Sequence, residues 1–150
     1  MELKVPPALI FLCFGLMMSL LAKFLPIGYF DFFGRLLLIK ILVGFSVTIA
    51  LLALFQYKKA SKSIGSTKSD KASSLVVGGI FKFSRNPIYL SLLLMLLALA
   101  VFLGNAFNIL IAAGFVGYMN RFQIIPEEKI LLNKFGRSFK DYCILTRRWF

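Results

Sequence analysis

Histidine is absent from this chain, and cysteine and acidic residues are scarce. The 150 residues include two cysteines and six Asp and Glu residues against 18 Lys and Arg residues. Without imidazole the protein has no Ser-His-Asp triad, no histidine base, and no histidine ligand for zinc or haem. Cys13 and Cys143 do not form a C-x-x-C pair, so no disulfide or zinc framework is indicated. These absences exclude several enzyme classes, and we expect no metal site.

Long apolar runs are what the chain has in excess. Hydrophobic residues make up 59% of the sequence, compared with about 45–50% in a typical soluble domain. Four runs approach the ~17–25 residues of a membrane-spanning helix. The sequence therefore predicts an all-α integral membrane protein with one domain over residues 1–150. We expect spans at about 7–25, 36–57, 87–103 and 106–125, a cytoplasmic loop at 58–86, and a C-terminal cytoplasmic segment at 126–150 that contains a short amphipathic helix, Glu127–Phe135.

The basic residues are unevenly distributed along the chain. The formal net charge is +12, and 14 of the 18 Lys and Arg residues lie within 58–85 and 121–148. A topology of four spans puts both basic segments and both termini on the same side of the membrane. The positive-inside rule identifies that side as the cytoplasmic one. We expect these residues to orient the protein in a bacterial inner membrane and to attract anionic lipid headgroups rather than nucleic acid. No Asp or Glu lies inside a predicted span, which argues against a proton-coupled drug exporter.

Two polar clusters flank the predicted hairpin of the third and fourth spans. Residues 85–89 open the third span, and Arg121 and residues 127–128 lie at the end of the fourth. Spans of 17 and 20 residues are about 25 and 30 Å long, so both clusters return to the same membrane face. Simpler structural explanations exist, because Asn86-Pro87 is a common helix start and acidic residues in a first helical turn favour the helix dipole. The shared position nevertheless predicts a polar site at the membrane surface.

Two groups of motifs in the second half of the chain follow a specific order and spacing. They are Ser74-Leu75-Val76-Val77-Gly78-Gly79-Ile80-Phe81 with Phe83-Ser84-Arg85-Asn86-Pro87-Ile88-Tyr89, and then Glu127-Glu128, Leu131-Leu132, Phe135-Gly136, Tyr142 and Arg148-Trp149. From about Ser73 to the C-terminus the chain resembles the isoprenylcysteine carboxyl methyltransferase and phospholipid methyltransferase superfamily of integral membrane enzymes. It departs from the family pattern at Asn86, where many members have histidine, at Ser91, where a glycine is frequent, and at Phe139, where a tyrosine is common.

The resemblance implies a helical bundle that binds S-adenosylmethionine at the cytoplasmic face and methylates a lipophilic small molecule or lipidated acceptor from the bilayer. Such methyl transfer depends more on the positioning of the cofactor and the acceptor than on acid–base catalysis. The cofactor-binding residues that the resemblance implies are Ser73, Ser74, Leu75, Val76, Phe81, Arg85, Asn86, Pro87, Ile88, Tyr89 and Glu127. Glu128, the neighbour of Glu127, and Arg121, the candidate for a family arginine that contacts the acceptor, are the implied catalytic residues.

Two other functions stay open at this point. Membrane sterol reductases resemble this bundle and bind NADPH in a comparable place, although the short chain and the Glu127-Glu128 pair speak against them. A non-catalytic membrane protein could retain the fold. The sequence does not identify the acceptor or the oligomeric state, since the small residues at Gly15 and Ser19 permit close helix contacts within one chain or between two.

Overall fold

The structure, a computed structural model, describes residues 5–26, 28–63 and 75–150. Within these ranges it contains six α-helices and no β-strand. The helices are α1 (Pro7–Phe24), α2 (Arg35–Ser63), α3 (Pro87–Leu103), α4 (Asn108–Met119), α5 (Ile125–Phe135) and α6 (Arg137–Leu145). A 3₁₀ turn at Gly79–Lys82 precedes α3, and a π-helical segment at Asn120–Ile124 joins α4 to α5. The predicted all-α architecture is confirmed.

Three helical stretches are long and apolar enough to cross a membrane. They are Pro7–Phe24, Arg35–Lys59 and Asn108–Phe135. α3 is also apolar but has only 17 residues, about 25 Å of helix, which is at the lower limit for a spanning segment. These four stretches follow the order of the predicted spans. Four crossings, and a cytoplasmic position for the connection between α2 and α3, remain predictions.

α2 is longer than the predicted second span. It begins at Arg35 and continues to Ser63, so it includes the first residues of the predicted loop 58–86. Lys58, Lys59 and Ala60 are good helix formers. A helix that has left the apolar environment can therefore continue through them.

The fourth apolar helix differs more strongly from its prediction. It begins at Asn108 and does not end at residue 125, because α4, the π segment and α5 run on continuously to Phe135. Pro126, in the first turn of α5, has no backbone N–H to donate to the carbonyl four residues earlier, and the wider π turn lies directly before it. The predicted amphipathic helix Glu127–Phe135 is thus the last part of a longer helix, and α6 follows it without having been predicted.

The core lies around α3, which packs against α1, α2 and α4. Met18, Leu96 and Phe115 are fully buried there, one from each of α1, α3 and α4. The contact between α2 and α3 includes one buried polar pair, in which Ser46 Oγ donates to the carbonyl of Ser91 at 2.7 Å. Because α3 is central, the residues at its N-terminus have a fixed position relative to all of its neighbours.

One end of the bundle, here called the hairpin end, is formed by residues 25–26, 28–35 and 101–108. Gly104 ends α3 with φ 64°, a left-handed conformation that glycine adopts without strain. Asn105, 3% exposed, donates from Nδ2 to the carbonyl of Leu25 at 2.8 Å. Arg35 donates from Nε to the carbonyl of Val101 at 2.9 Å. These bonds fix the α1–α2 connection to the α3–α4 turn, so both connections lie at the same end.

Candidate active site

At the other end of the bundle the N-terminus of α3 meets α5, and this region is here called the cavity end. The hydroxyl of Tyr89 donates to Oε1 of Glu127 at 2.5 Å. These residues are separated by 38 positions in sequence and lie in the two clusters that the hairpin was predicted to bring together. Both are removed from bulk solvent, since Tyr89 is 8% exposed and Glu127 is half-buried. A carboxylate in such a setting requires a donor, and Tyr89 supplies it.

Glu128 is held by two arginines. Arg148 binds it through both carboxylate oxygens, with Nε to Oε1 at 3.0 Å and a terminal nitrogen to Oε2 at 2.7 Å. A terminal nitrogen of Arg85 lies 3.1 Å from Oε1. The hydrogen bond to Glu128 raises the pKa of the Arg148 guanidinium above its already high value. Glu128 therefore joins α5 to the start of α3 and to the C-terminal residues, and little of its hydrogen-bonding capacity is left for a ligand.

The C-terminal residues 146–150 cross the start of α3. The carbonyl of Arg148 accepts hydrogen bonds from Ser84 Oγ and Asn86 Nδ2, each at 3.1 Å. The indole N–H of Trp149 donates to Asn120 Oδ1 at 3.0 Å. Asn86 occupies the N-cap position of α3 but makes no side-chain cap, and its Nδ2 donates to the Arg148 carbonyl. The last residues of the chain thus connect α3 to the π segment.

α6 forms a wall on the opposite side of the site. Tyr142 donates from its hydroxyl to the carbonyl of Phe81, in the 3₁₀ turn, at 2.6 Å. Burial raises the pKa of Tyr142 to about 12, so the phenol keeps its proton at neutral pH and remains a donor. Cys143, the next residue, contacts a terminal nitrogen of Arg85. α6 is therefore attached to the segment that leads into α3.

These elements enclose two adjoining cavities. The first has a volume of about 340 Å³ and the second of about 380 Å³. Both are lined by Tyr57, Phe81, Arg85, Asn86, Glu127, Ile130 and Leu131. The first also reaches Glu128 and the α6 residues Phe139 and Tyr142, whereas the second extends along α3 past Ile88 and Tyr89. The shared lining makes them two parts of one hollow, with charged groups between α3 and α5 and apolar walls elsewhere.

Most of the residues that the sequence nominated lie at this hollow. Those that line the first cavity are Leu75, Val76, Phe81, Arg85, Asn86, Glu127 and Glu128. Pro87, Ile88 and Tyr89 line the second. Arg121 is exposed and lines neither of the two cavities. Ser73 and Ser74 lie outside the residues that the structure describes.

Arg121 and Gln123 are two polar residues of the π segment. They are two residues apart on one helical stretch, so their side chains do not face the same side. Gln123 is the buried one, 3% exposed, and its amide donates to the carbonyl of Val5 at 2.8 Å. The role assigned to Arg121 stays a prediction that the geometry of the hollow does not support.

Several residues at the site were not nominated. Tyr57, from the end of α2, lines both cavities, but in sequence it looks like any aromatic residue at a membrane boundary. Phe139 and Tyr142 belong to the unpredicted helix α6. Arg148 lies 20 residues from its partner Glu128, and the only sequence signal for it was the Arg148-Trp149 motif.

The side chains that line the hollow indicate the chemistry of a ligand that would fit it. Within the described part of the chain, no group of three or more His, Cys, Asp or Glu side chains is placed to hold an ion. The charged residues that line the first cavity are Arg85, Glu127, Glu128 and Lys134. Asn86 adds a polar amide, and the remaining walls are aromatic or aliphatic. Such a mixture suits an organic ligand that carries both charges and an apolar part.

Comparison with known proteins agrees with this geometry. A family model described as phospholipid methyltransferase matches residues 34–138, more than half of the chain. An uncharacterised protein of Haemophilus influenzae is 45% identical over 62 residues, which cover 41% of this chain and 98% of the relative. No solved structure matches the chain. With its long apolar helices and this match, the protein is an integral membrane protein that belongs to the phospholipid methyltransferase family, within the isoprenylcysteine carboxyl methyltransferase-like superfamily of membrane methyltransferases.

Proposed function

We propose that this protein transfers the methyl group of S-adenosylmethionine to a lipophilic acceptor at the cytoplasmic face of the membrane. The observation that carries the proposal is the hydrogen bond between Tyr89 and Glu127 at the hollow between α3 and α5. It joins two family motifs that are far apart in sequence around a space of ligand size. Family membership favours methyl transfer over the alternative of a membrane reductase.

The residues of the first cavity fit the cofactor. Its volume, about 340 Å³, lies within the roughly 300–1,000 Å³ of small-molecule sites. Nε of Arg85 is buried and has no hydrogen-bond partner among the described residues. In this proposal Arg85 holds the methionyl carboxylate, Glu127 holds the methionyl ammonium or the ribose hydroxyls, and the aromatic rings of Phe81 and Tyr142 contact the adenosyl group. When bound, S-adenosylmethionine supplies an electrophilic methyl group on a sulfonium sulfur.

Tyr89 acts in this arrangement by orienting Glu127. The Tyr89 hydroxyl donates a hydrogen bond to Oε1 of Glu127. The remaining lone pairs of the Glu127 carboxylate can accept hydrogen bonds from the cofactor. Glu128 performs a different task, because both of its oxygens are bound by arginines. We infer that Glu128 fixes the position of Arg85 and does not itself contact the reacting atoms.

The second cavity is the proposed place of the acceptor. Ile88, Ile130 and Leu131 contribute apolar walls, and Tyr57 lies at its border with the first cavity. This lining favours a hydrophobic chain or ring. The chain has no histidine, and the two carboxylates at the hollow are engaged by Tyr89 and by arginines. An acceptor that reacts as an anion, such as a carboxylate, suits the site best because no base has to remove a proton.

The cytoplasmic placement of the hollow is part of the proposal. Basic residues are concentrated near it, including Lys58 and Lys59 at the end of α2 and Lys82 before α3. The positive-inside rule assigns such a face to the cytoplasm. S-adenosylmethionine is supplied from that side.

The direct test is a search for the acceptor. Purified protein in lipid nanodiscs is incubated with methyl-labelled S-adenosylmethionine and a total membrane lipid extract, and the labelled product is identified by mass spectrometry. We expect label in one lipophilic class with the wild type and at most about a tenth of that label with Glu127→Gln or Tyr89→Phe, since a charge-assisted or buried hydrogen bond contributes about 1.5–3 kcal/mol. Labelling that is absent in the wild type, or equal in all three proteins, contradicts the proposal.

A further inference from the structure

A further groove is lined by residues of α5 and α6. Its volume is about 350 Å³, and it is lined by Ile125, Glu128, Lys129, Leu132, Phe139, Lys140, Cys143 and Ile144. On α5, residues 125, 129 and 132 follow the i, i+4, i+7 spacing of one helix face. Residues 127, 130, 131 and 134, which line the first cavity, lie on the opposite face. The groove and the first cavity share Glu128 and Phe139, and the rest of their linings differ.

The chemistry of the groove is that of a site for an anionic amphiphile. Ile125, Leu132 and Ile144 supply aliphatic walls, and Ile144 is 82% exposed. Lys129 and Lys140 are exposed cations, one from each helix. The acidic residue in the lining, Glu128, is already neutralised by Arg85 and Arg148. The groove thus combines apolar contact area with a net positive charge.

The position of the groove identifies a source for such a ligand. Ile125 is the last apolar residue of the predicted fourth span and directly precedes Pro126 and the acidic pair. By the predicted span, one end of the groove lies at the level where α4 and α5 leave the hydrocarbon region. We propose that the groove binds one anionic phospholipid of the surrounding leaflet, with its phosphate at Lys129 and Lys140 and an acyl chain along Ile125, Leu132 and Ile144.

A lipid in this groove would contact the face of α6 that points away from the first cavity. The inner face of α6 carries Tyr142, which lines the first cavity and donates to Phe81. The outer face carries Lys140 and Ile144. This lipid site is independent of the proposed methyl transfer, because its groups are not those assigned to the cofactor or the acceptor.

Native mass spectrometry of the full-length protein in detergent tests the site with phosphatidylglycerol as the probe. We compare the wild type with Lys129→Gln/Lys140→Gln, and use Lys58→Gln/Lys59→Gln as a control that removes the same charge from exposed positions at the end of α2. We expect one tightly held phosphatidylglycerol on the wild type and on the control. In the groove variant its affinity should fall by about tenfold or more, because each basic residue near an anionic lipid contributes about 1 kcal/mol.

Three results overturn the proposal. The first is equal retention of zwitterionic phosphatidylcholine, which makes the groove an unselective lipid contact. The second is an equal loss in the Lys58→Gln/Lys59→Gln control, which assigns the effect to overall charge. The third is unchanged phosphatidylglycerol affinity in the groove variant. An Ile144→Ser variant examines the acyl contact separately and should weaken both lipids.

Discussion

The two ends of the bundle use polar residues in different ways. At the hairpin end, Asn105 and Arg35 donate mainly to backbone carbonyls of the connections and of α3. A hollow of about 530 Å³ is present there, but its charged residues, Asp31 and Arg35, are paired with each other at 3.4 Å. At the cavity end, the carboxylates of Glu127 and Glu128 are held by side chains around a hollow.

This difference separates polar groups that complete the fold from polar groups that hold a ligand. Side chains that donate to backbone carbonyls satisfy atoms that would otherwise be unpaired, and they are fully used by doing so. Side chains that position each other at the wall of a cavity keep part of their hydrogen-bonding capacity. Arg85, with a buried Nε that has no partner in the described part of the chain, is the clearest example. This comparison favours the cavity end over the hairpin end as the place of a functional site.

The largest predicted effect comes from removing the carboxylate shared by two arginines. Glu128→Ala leaves Arg85, whose side chain is 12% exposed, without its ion-pair partner, and we expect a loss of about 3 kcal/mol in the free energy of unfolding. Asp31→Ala is the matched change at the hairpin end. Asp31 is 63% exposed, so its loss should cost less than about 1 kcal/mol.

Unfolding by SDS in mixed micelles measures both free energies. Similar losses for Glu128→Ala and Asp31→Ala would show that the two ends do not differ in the way described here.

The second prediction concerns the glycine pair before α3. Gly79 has φ 57°, and a Cβ atom there would lie 2.1 Å from the Gln56 side chain, whose Oε1 accepts a hydrogen bond from the Ile80 amide. Gly79→Ala should therefore cost about 1–2 kcal/mol in the free energy of unfolding and weaken cofactor binding. Gly78→Ala is the control, because Gly78 has φ −92° and open space around its Cβ position.

The same SDS titration measures this pair of variants. An equal loss of stability in Gly78→Ala and Gly79→Ala would contradict the claim that the positive φ and the nearby Gln56 side chain require glycine at position 79.

The third prediction isolates the bidentate bond between Arg148 and Glu128. Lysine keeps the charge but cannot make two parallel hydrogen bonds. Arg148→Lys should allow Glu128 and Arg85 to shift and weaken S-adenosylmethionine binding by about fivefold, equivalent to about 1 kcal/mol. Arg147→Lys is the control, since the side chain of Arg147 is exposed and only its carbonyl contacts Arg85.

Calorimetric dissociation constants for Arg148→Lys and Arg147→Lys provide the comparison. Equal constants would remove Arg148 from the set of positioning residues.

The last predicted effect, which is absent at neutral pH, is a pH dependence from Tyr142. Its phenol has a pKa of about 12 in the folded protein and ionises near pH 10 when unfolded. The unfolded state therefore loses this proton first as the pH rises. The stabilisation is complete below about pH 10 and disappears between about pH 10 and 12.

Stability measured across that interval should fall less in Tyr142→Phe than in the wild type. Parallel curves for the two proteins would contradict the assignment.

Local patterns predicted much of the fold. Hydrophobic runs gave α1 and α3 almost to the residue, and Pro87 and Gly104 marked the two ends of α3. The similar lengths of the third and fourth predicted spans correctly indicated that Tyr89 and Glu127 lie close together. These features depend on spacing along one segment or on the length of a hairpin, which can be read directly from a sequence.

Features that depend on distant contacts were not predictable in this way. Asn86 looked like a helix cap, but its side chain bonds the Arg148 carbonyl instead. The helix that contains the fourth predicted span was expected to end near residue 125, but a π segment carries it past Pro126. Tyr57 and Arg148 enter the site only once α2 and the C-terminus are folded against α3. Each of these contacts joins residues that no local pattern connects.

The central claim is that the start of α3 and the acidic pair of α5 together hold one molecule of S-adenosylmethionine. Isothermal titration of S-adenosylmethionine into the nanodisc-reconstituted wild type, Glu127→Gln and an Asp31→Asn control measures this directly. The account predicts saturable binding to the wild type and the control, with at least about tenfold weaker binding to Glu127→Gln, because a charged hydrogen-bond partner is lost. Equal affinity for Glu127→Gln, or no binding to the wild type, would contradict it.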